Sequence, residues 1–310
     1  MKTKNVSIEK VPEGLSYEWF SYEAFQEDIL QIKEHLPSAF ASAAEPSWVN
    51  SEKGNMSWFG HAEGFWGVQK CLDKGWPELR ERLVKMMEGI ELELPVFPTQ
   101  TMTRRRKIVH GDHGDTLDMS KVWSGHSDVA WRRPHRTQRF SVNTKRITLA
   151  FDVTSNAMVT NKMAMWRAAL CVLLCDSLAR AGRTFEVWVV DSTSNPYGWV
   201  WAGDTKPKCL WSAWMVKGAS DPLVLDRLCG MVSVGFMRSA GFVAMLCGPY
   251  DSTMFGGALN IGLPATLRKR QENDEVVMRL GECYTREDCI REYADAWEKL
   301  EHRLNQEEAA

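Results

Sequence analysis

The chain lacks every feature that would name its chemistry at a glance. No stretch approaches the roughly 18 consecutive apolar residues that a membrane-spanning helix needs, so no membrane span is expected. Its eight cysteines, at 71, 171, 175, 209, 229, 247, 283 and 289, include no CxxC pair, which argues against a zinc ribbon or a dithiol redox centre. Cys171 and Cys175 lie four apart in apolar surroundings and read as core. Unpaired thiols without a signal peptide point to a reducing compartment, the cytoplasm. There is no GxSxG elbow and no GxxxxGK[ST] loop, and Gly60, Gly64 and Gly67 lack dinucleotide-binding spacing. No catalytic constellation is found, so enzyme activity is not expected. The net charge is -2, so the total asks for neither nucleic acid nor a membrane surface as partner.

What is present fits a folded, core-forming protein. The 310 residues are 44% hydrophobic and 25% charged, enough to bury one large core or two moderate ones. Fourteen tryptophans are an unusual supply, several of them beside glycine or another aromatic, and core or interface duty explains them. Residues 1–95 read as an α-rich, irregular segment. A helix is expected over 21–36 and stopped by Pro37, another over 65–72, and a third that Pro77 opens and Gly89 closes. Residues 96–142 form a basic connector. From 143 to 310 the texture becomes regular: strands over 147–153, 185–190, 209–217, 242–247 and 275–280 interleave with helices over 162–181, 221–233, 234–240 and 287–304. Alternation of this kind implies an α/β fold, a mainly parallel Rossmann-like sheet with helices on both faces.

Two constellations carry candidate chemistry. The first is the cluster Asp152, Thr154 and Asn156 where the first strand of the regular part ends, the place where open α/β sheets meet ligands. Carboxylate and hydroxyl oxygens suit Mg²⁺, with Thr193 after the next strand and Asp251 after the 242–247 strand available to complete a set. Turn or helix capping by Asp152 is the plainer use of the same residues. The second is the basic run Arg104, Arg105, Arg106 and Lys107 followed by Arg132, Arg133, Arg136 and Arg139, with Trp131 interleaved. Arginines on phosphates and an aromatic under a base would bind single-stranded nucleic acid; a solvated face paired to neighbouring carboxylates is the alternative. Weaker signals are Asp112, Asp115 and Asp118, whose spacing is wrong for an EF-hand, and His110 with His113, which without cysteine or HxxxH spacing read as a solvated turn rather than a zinc hydrolase.

The β-α-β run with DVTSN after its first strand resembles the von Willebrand factor A-type domain. That resemblance implies a metal-ion-dependent adhesion site. Asp152 matches its aspartate and Thr154 its first hydroxyl, while Asn156 departs from its second. The phrase GDTLDMSKVWSG resembles the lead-in of bacterial A-domain proteins that work with MoxR-type AAA+ ATPases, which implies such an ATPase as protein partner. Several phrases in order, WFGHAEGFWGVQKCLDKGWPE, TRRRKIVHGDHGDTLD, WRRPHR, MWRAALCVLLCDSLARAG and DPLVLDRLCGMVSVGFMR, are similar to those of an uncharacterised phage and actinobacterial family, over residues 58–247. Together these imply a phage-type protein-interaction module with a degenerate adhesion site, the nucleic-acid-binding accessory factor being the alternative.

Overall fold

The structure, a computed structural model, describes residues 5–11, 14–35, 68–90, 93–96, 106–111, 116–117, 119–124, 131–136, 147–154, 159–194, 209–237, 262–273, 275–281 and 283–308. The chain divides into two compact units, 1–98 together with 145–310, and 99–144.

The larger unit is built on six strands: β1 (Ser7–Val11), β2 (Gly14–Trp19), β6 (Ile147–Asp152), β7 (Phe185–Ser194), β8 (Cys209–Lys217) and β9 (Val276–Leu280). They lie in the order β1-β2-β8-β7-β6-β9. The β6 strand pairs in parallel with β7 and with β9, and β2 in parallel with β8. The β1–β2 and β7–β8 pairs are antiparallel. The sheet is therefore mixed: three of its five pairings are parallel and two antiparallel, which keeps the expected α/β class but not a purely parallel sheet. Ser194, the last residue of β7, sits opposite Cys209, the first of β8, which is the pairing of two strands that turn back on each other. The α-rich reading of the first 95 residues also omitted the β1–β2 hairpin, whose short polar-apolar alternation adds two strands to the sheet.

Helices of this unit are α1 (Tyr22–His35), α2 (Val68–Lys74), α3 (Pro77–Met87), α5 (Asn161–Arg180), α6 (Leu225–Met231), α7 (Val234–Phe236), α8 (Ala265–Glu272) and α9 (Arg286–Glu308). None of the described helices is long and apolar enough to cross a membrane. Thr160 caps α5, its hydroxyl accepting from the Met163 N–H at 3.3 Å. Gly182, at φ +70°, closes it.

Alternation along the strands sorts the core into two layers. Tyr17 and Trp19, Leu149 and Phe151, Val187 and Val189, Trp214 and Met278 share the large cluster with residues of α1, α3, α5, α6 and α9. Phe25 of α1 stacks on Trp214, ring centroids 4.7 Å apart. On the opposite face Ala150, Trp188, Val190 and Ala213 meet Leu263 and Leu267, the latter from α8. Every residue of β6 is buried, as a strand covered on both sides must be. The amino end of α8 is capped from far away in sequence: Ser16 Oγ accepts from the Ala265 N–H at 3.2 Å, and Glu18 Oε1 from the Thr266 N–H at 3.0 Å. A buried carboxylate there also complements the helix dipole.

The smaller unit contains β3 (Arg106–Gly111), β4 (Thr116–Leu117), α4 (Met119–Trp123) and β5 (Trp131–Arg136). Its strands form an antiparallel sheet in the order β3-β5-β4. The expected strand over 242–247 lies outside the described residues.

Candidate functional site

Three parallel strands, β7, β6 and β9, end on one rim. Asp152 is the last residue of β6, and Asp191 and Ser192 occupy the matching end of β7. Pairing continues past β6, the Val153 N–H donating to the Val190 carbonyl at 2.9 Å. Thr154 then turns its side chain toward β7. Its Oγ1 accepts from the Ser192 N–H at 2.9 Å and lies 3.2 Å from Ser192 Oγ. The hydroxyls of Thr154 and Ser192 thus stitch the two strand ends together.

Asp152 is 7% exposed and fully engaged. One carboxylate oxygen accepts from the Thr154 N–H at 2.9 Å; the other is in an ion pair with Arg279 of β9. Arg167 of α5 reaches the same turn from the other side, its Nη1 donating to the Thr154 carbonyl at 2.8 Å and to the Asp152 carbonyl at 3.4 Å. Its guanidinium lies over the Tyr284 ring at 5.8 Å. Burial pushes the Arg167 pKa below its ordinary value, and the nearby Asp152 charge pulls it back. Close backbone approach is built in: a Cβ on Gly281 would lie 2.7 Å from the Asp152 Cβ and 2.8 Å from its carbonyl oxygen, so only glycine fits there without a shift.

Asp191 is the residue that sequence reasoning missed. It is 1% exposed, and its Oδ2 has no hydrogen-bond partner among the described residues. Burial, and then the charge of Asp152, push its carboxyl up to about 7; the Thr154 hydroxyl, the Ser192 amide and Arg167 act the other way. The signal was present, since VWVVDS repeats the pattern of LAFDV: an apolar strand ended by aspartate. Arg167 and Arg279 also went unread. Arg167 interrupts an otherwise apolar helix, and such a charge must find a partner when buried.

Of the candidate magnesium ligands, the structure brings Asp152 and Thr154 together. Thr193 lies within β7, its backbone opposite Leu210, where the sequence suggested a loop; the strand extends because β8 pairs with it to the end. Asn156, Asp251 and the Thr193 side chain fall outside the described residues. A hard cation needs free carboxylate oxygens. With Asp152 held by the Thr154 amide and Arg279, the described donors do not fit Mg²⁺ unless Arg279 moves. Among the described residues no group of three or more His, Cys, Asp or Glu is placed to hold a metal ion.

From this rim a cavity of about 790 Å³ runs beside β9. Asp152 lies at one end, with Val276, Val277, Met278, Arg279 and Leu280 along the strand and Glu292, Asp295, Lys299 and His302 on the α9 side.

In the smaller unit the two basic stretches become neighbours. Arg106 is opposite Arg136, Lys107 opposite His135, Val109 opposite Arg133, His110 opposite Arg132 and Gly111 opposite Trp131. Arg104, Arg105, Arg139, Asp112, Asp115, Asp118 and His113 lie outside the described residues.

Comparison with protein families finds a match, over residues 14–302, to the family described as a domain of unknown function, DUF7192. The match spans most of the chain, which therefore belongs to that family. Neither curated proteins nor solved structures gave a match.

Proposed function

We propose that this member of the DUF7192 family is a protein-interaction module that docks its partner on the rim at the carboxyl ends of β6, β7 and β9. One observation carries the reading: the rim gathers Asp152, Arg279, Arg167, Thr154 and Ser192, and two of them, Asp152 and Arg279, line the groove. The von Willebrand A-like likeness rests on DVTSN and on the parallel β6–α5–β7 unit. We read the rim as a degenerate adhesion site in which the guanidinium groups of Arg279 and Arg167 supply the positive charge that Mg²⁺ supplies elsewhere. The phrase resemblances favour a phage-type setting and a MoxR-type AAA+ ATPase as partner. The test is co-chromatography with a purified MoxR-type ATPase. The expected complex survives EDTA and weakens at least about tenfold in Asp152→Ala, the order expected when one of two buried, hydrogen-bonded charges is removed. Equal binding by wild type and variant rejects the rim; loss with EDTA alone returns the site to Mg²⁺.

The smaller unit favours a second reading, single-stranded nucleic-acid binding. Its register sets basic positions of β3 opposite basic positions of β5. A phosphate backbone is the ligand such a run of basic positions would suit. Gel shifts with single-stranded DNA should then weaken with salt. Charge reversal at Arg104, Arg105 and Arg106 should flatten that salt dependence by a slope of about 0.7 for each phosphate no longer neutralised. Absence of any shift at low salt removes this reading.

A further inference from the structure

The sheet has two outer strands, and they differ in kind. On β1, Ser7, Ile8 and Lys10 are exposed, and Glu9 is paired with Lys269. Charged side chains of this sort discourage a further strand. On β9 the sequence VVMRL is buried or half-buried, contains neither proline nor lysine, and pairs among the described residues on one side only, with β6. The groove beside it is lined by five consecutive residues, Val276 to Leu280. Successive side chains of a strand point to opposite faces. A cavity touching all five therefore lies off the strand's edge, where the backbone amides and carbonyls not used by β6 point.

The far wall of this groove is α9. Its lining residues Glu292, Asp295, Lys299 and His302 recur at helical spacing, with Glu298 beside them and Glu275 at the entrance to β9. Asp152 is already matched by Arg279. Four further carboxylates thus face the groove against the single ammonium of Lys299. Asp295 and Glu298 are exposed.

Resting on the interaction-module reading, we propose that the outer edge of β9 docks an extended basic segment of a protein partner, which joins the sheet as an added strand beside α9. Main-chain hydrogen bonds to β9 supply the attachment and the acidic wall selects the charge, the division of labour general to strand addition.

The probe is a labelled eight-residue peptide alternating lysine and valine, compared with its glutamate-valine counterpart by fluorescence anisotropy on the full chain. The lysine peptide binds and the glutamate peptide does not. The surface variant Asp295→Lys with Glu298→Lys, its fold checked by circular dichroism, loses at least about tenfold in affinity. N-methylation of every second peptide residue abolishes binding in one register and spares it in the other, because only alternate amides of an added strand face its neighbour. Equal binding of both peptides, indifference to the charge reversal, or indifference to N-methylation in both registers overturns the proposal, as does a wild-type chain that dimerises through this edge. If the lysine peptide fails while Asp152→Ala still breaks the ATPase complex, strand addition falls and the rim stands. If the peptide behaves as expected while Asp152→Ala leaves that complex intact, the rim falls and the groove stands.

Discussion

Arg270→Met lowers the unfolding free energy by about 3–5 kcal/mol, the usual cost of removing one partner from a buried ion pair. Arg270, on α8, donates to Glu186 Oε2 at 2.6 Å and reaches Thr148 Oγ1 at 3.4 Å. The Glu186 side chain is 2% exposed, so the variant leaves a carboxylate in the sheet face without the guanidinium that matched it. The Arg270 guanidinium also lies 5.7 Å from the centre of the Trp188 ring, and methionine keeps part of that apolar packing. Adding Glu186→Gln to Arg270→Met should restore most of the loss, because the charge that had to be matched is gone. Urea unfolding of the two single variants and the double variant measures this. A single-variant loss below about 1 kcal/mol, the range of exposed pairs, would show that water reaches Glu186 and that α8 does not seal this face.

Asp191→Asn changes how stability depends on pH. The native carboxyl titrates at about 7, against an ordinary value of 3.8. Between those values the folded chain holds a proton that the unfolded chain has released. Stability from this group is therefore complete below about pH 4, falls as pH rises toward 7, and levels off above. Across the window the change is on the order of a few kcal/mol. Asparagine cannot ionise and is close in shape to the protonated carboxyl. The variant should match wild type near pH 4 and exceed it at pH 8. Denaturant unfolding at intervals from pH 4 to pH 8 gives the difference curve, in which carboxylates remote from Asp191 cancel. A flat difference would mean that Asp191 does not hold its proton in the folded chain. The charge of the rim also changes with this titration, so docking there by the folded chain should vary with pH around 7.

Much of the architecture was legible, for identifiable reasons. The α5 segment is long and largely apolar, with neither proline nor glycine inside it, and Gly182 marks its end. Proline at its first position fixed the start of α3. The β6 strand announced itself as an uninterrupted apolar run. The direction of β8 was not legible, because alternation with period two reads the same in either orientation. The β1–β2 hairpin was passed over because five or six residues of mixed polarity also fit a loop. Glu186 looked like an interruption of its strand; it is half of a pair whose other half lies 84 positions along the chain.

The candidate site divides in the same way. Asp152 and Thr154 were found because a strand-ending aspartate followed by hydroxyls is a local pattern. Asp191 closes an apolar run as Asp152 does, but what distinguishes it, a raised carboxyl, comes from burial and from Asp152 on the adjacent strand. Arg279, which decides what Asp152 can bind, is separated from it by 127 residues.

By itself the amino-acid order determined helices such as α1, α3 and α5 and strands such as β6, β8 and β9, since capping, periodicity and apolar runs act over a few neighbouring positions. Tertiary structure alone decided the mixed order of the sheet, the capping of α8 by Ser16 and Glu18, the pairing of Asp152 with Arg279 and the groove beside β9. Charge compensation and edge exposure depend on distance in space, and the chain brings those partners together only when it folds.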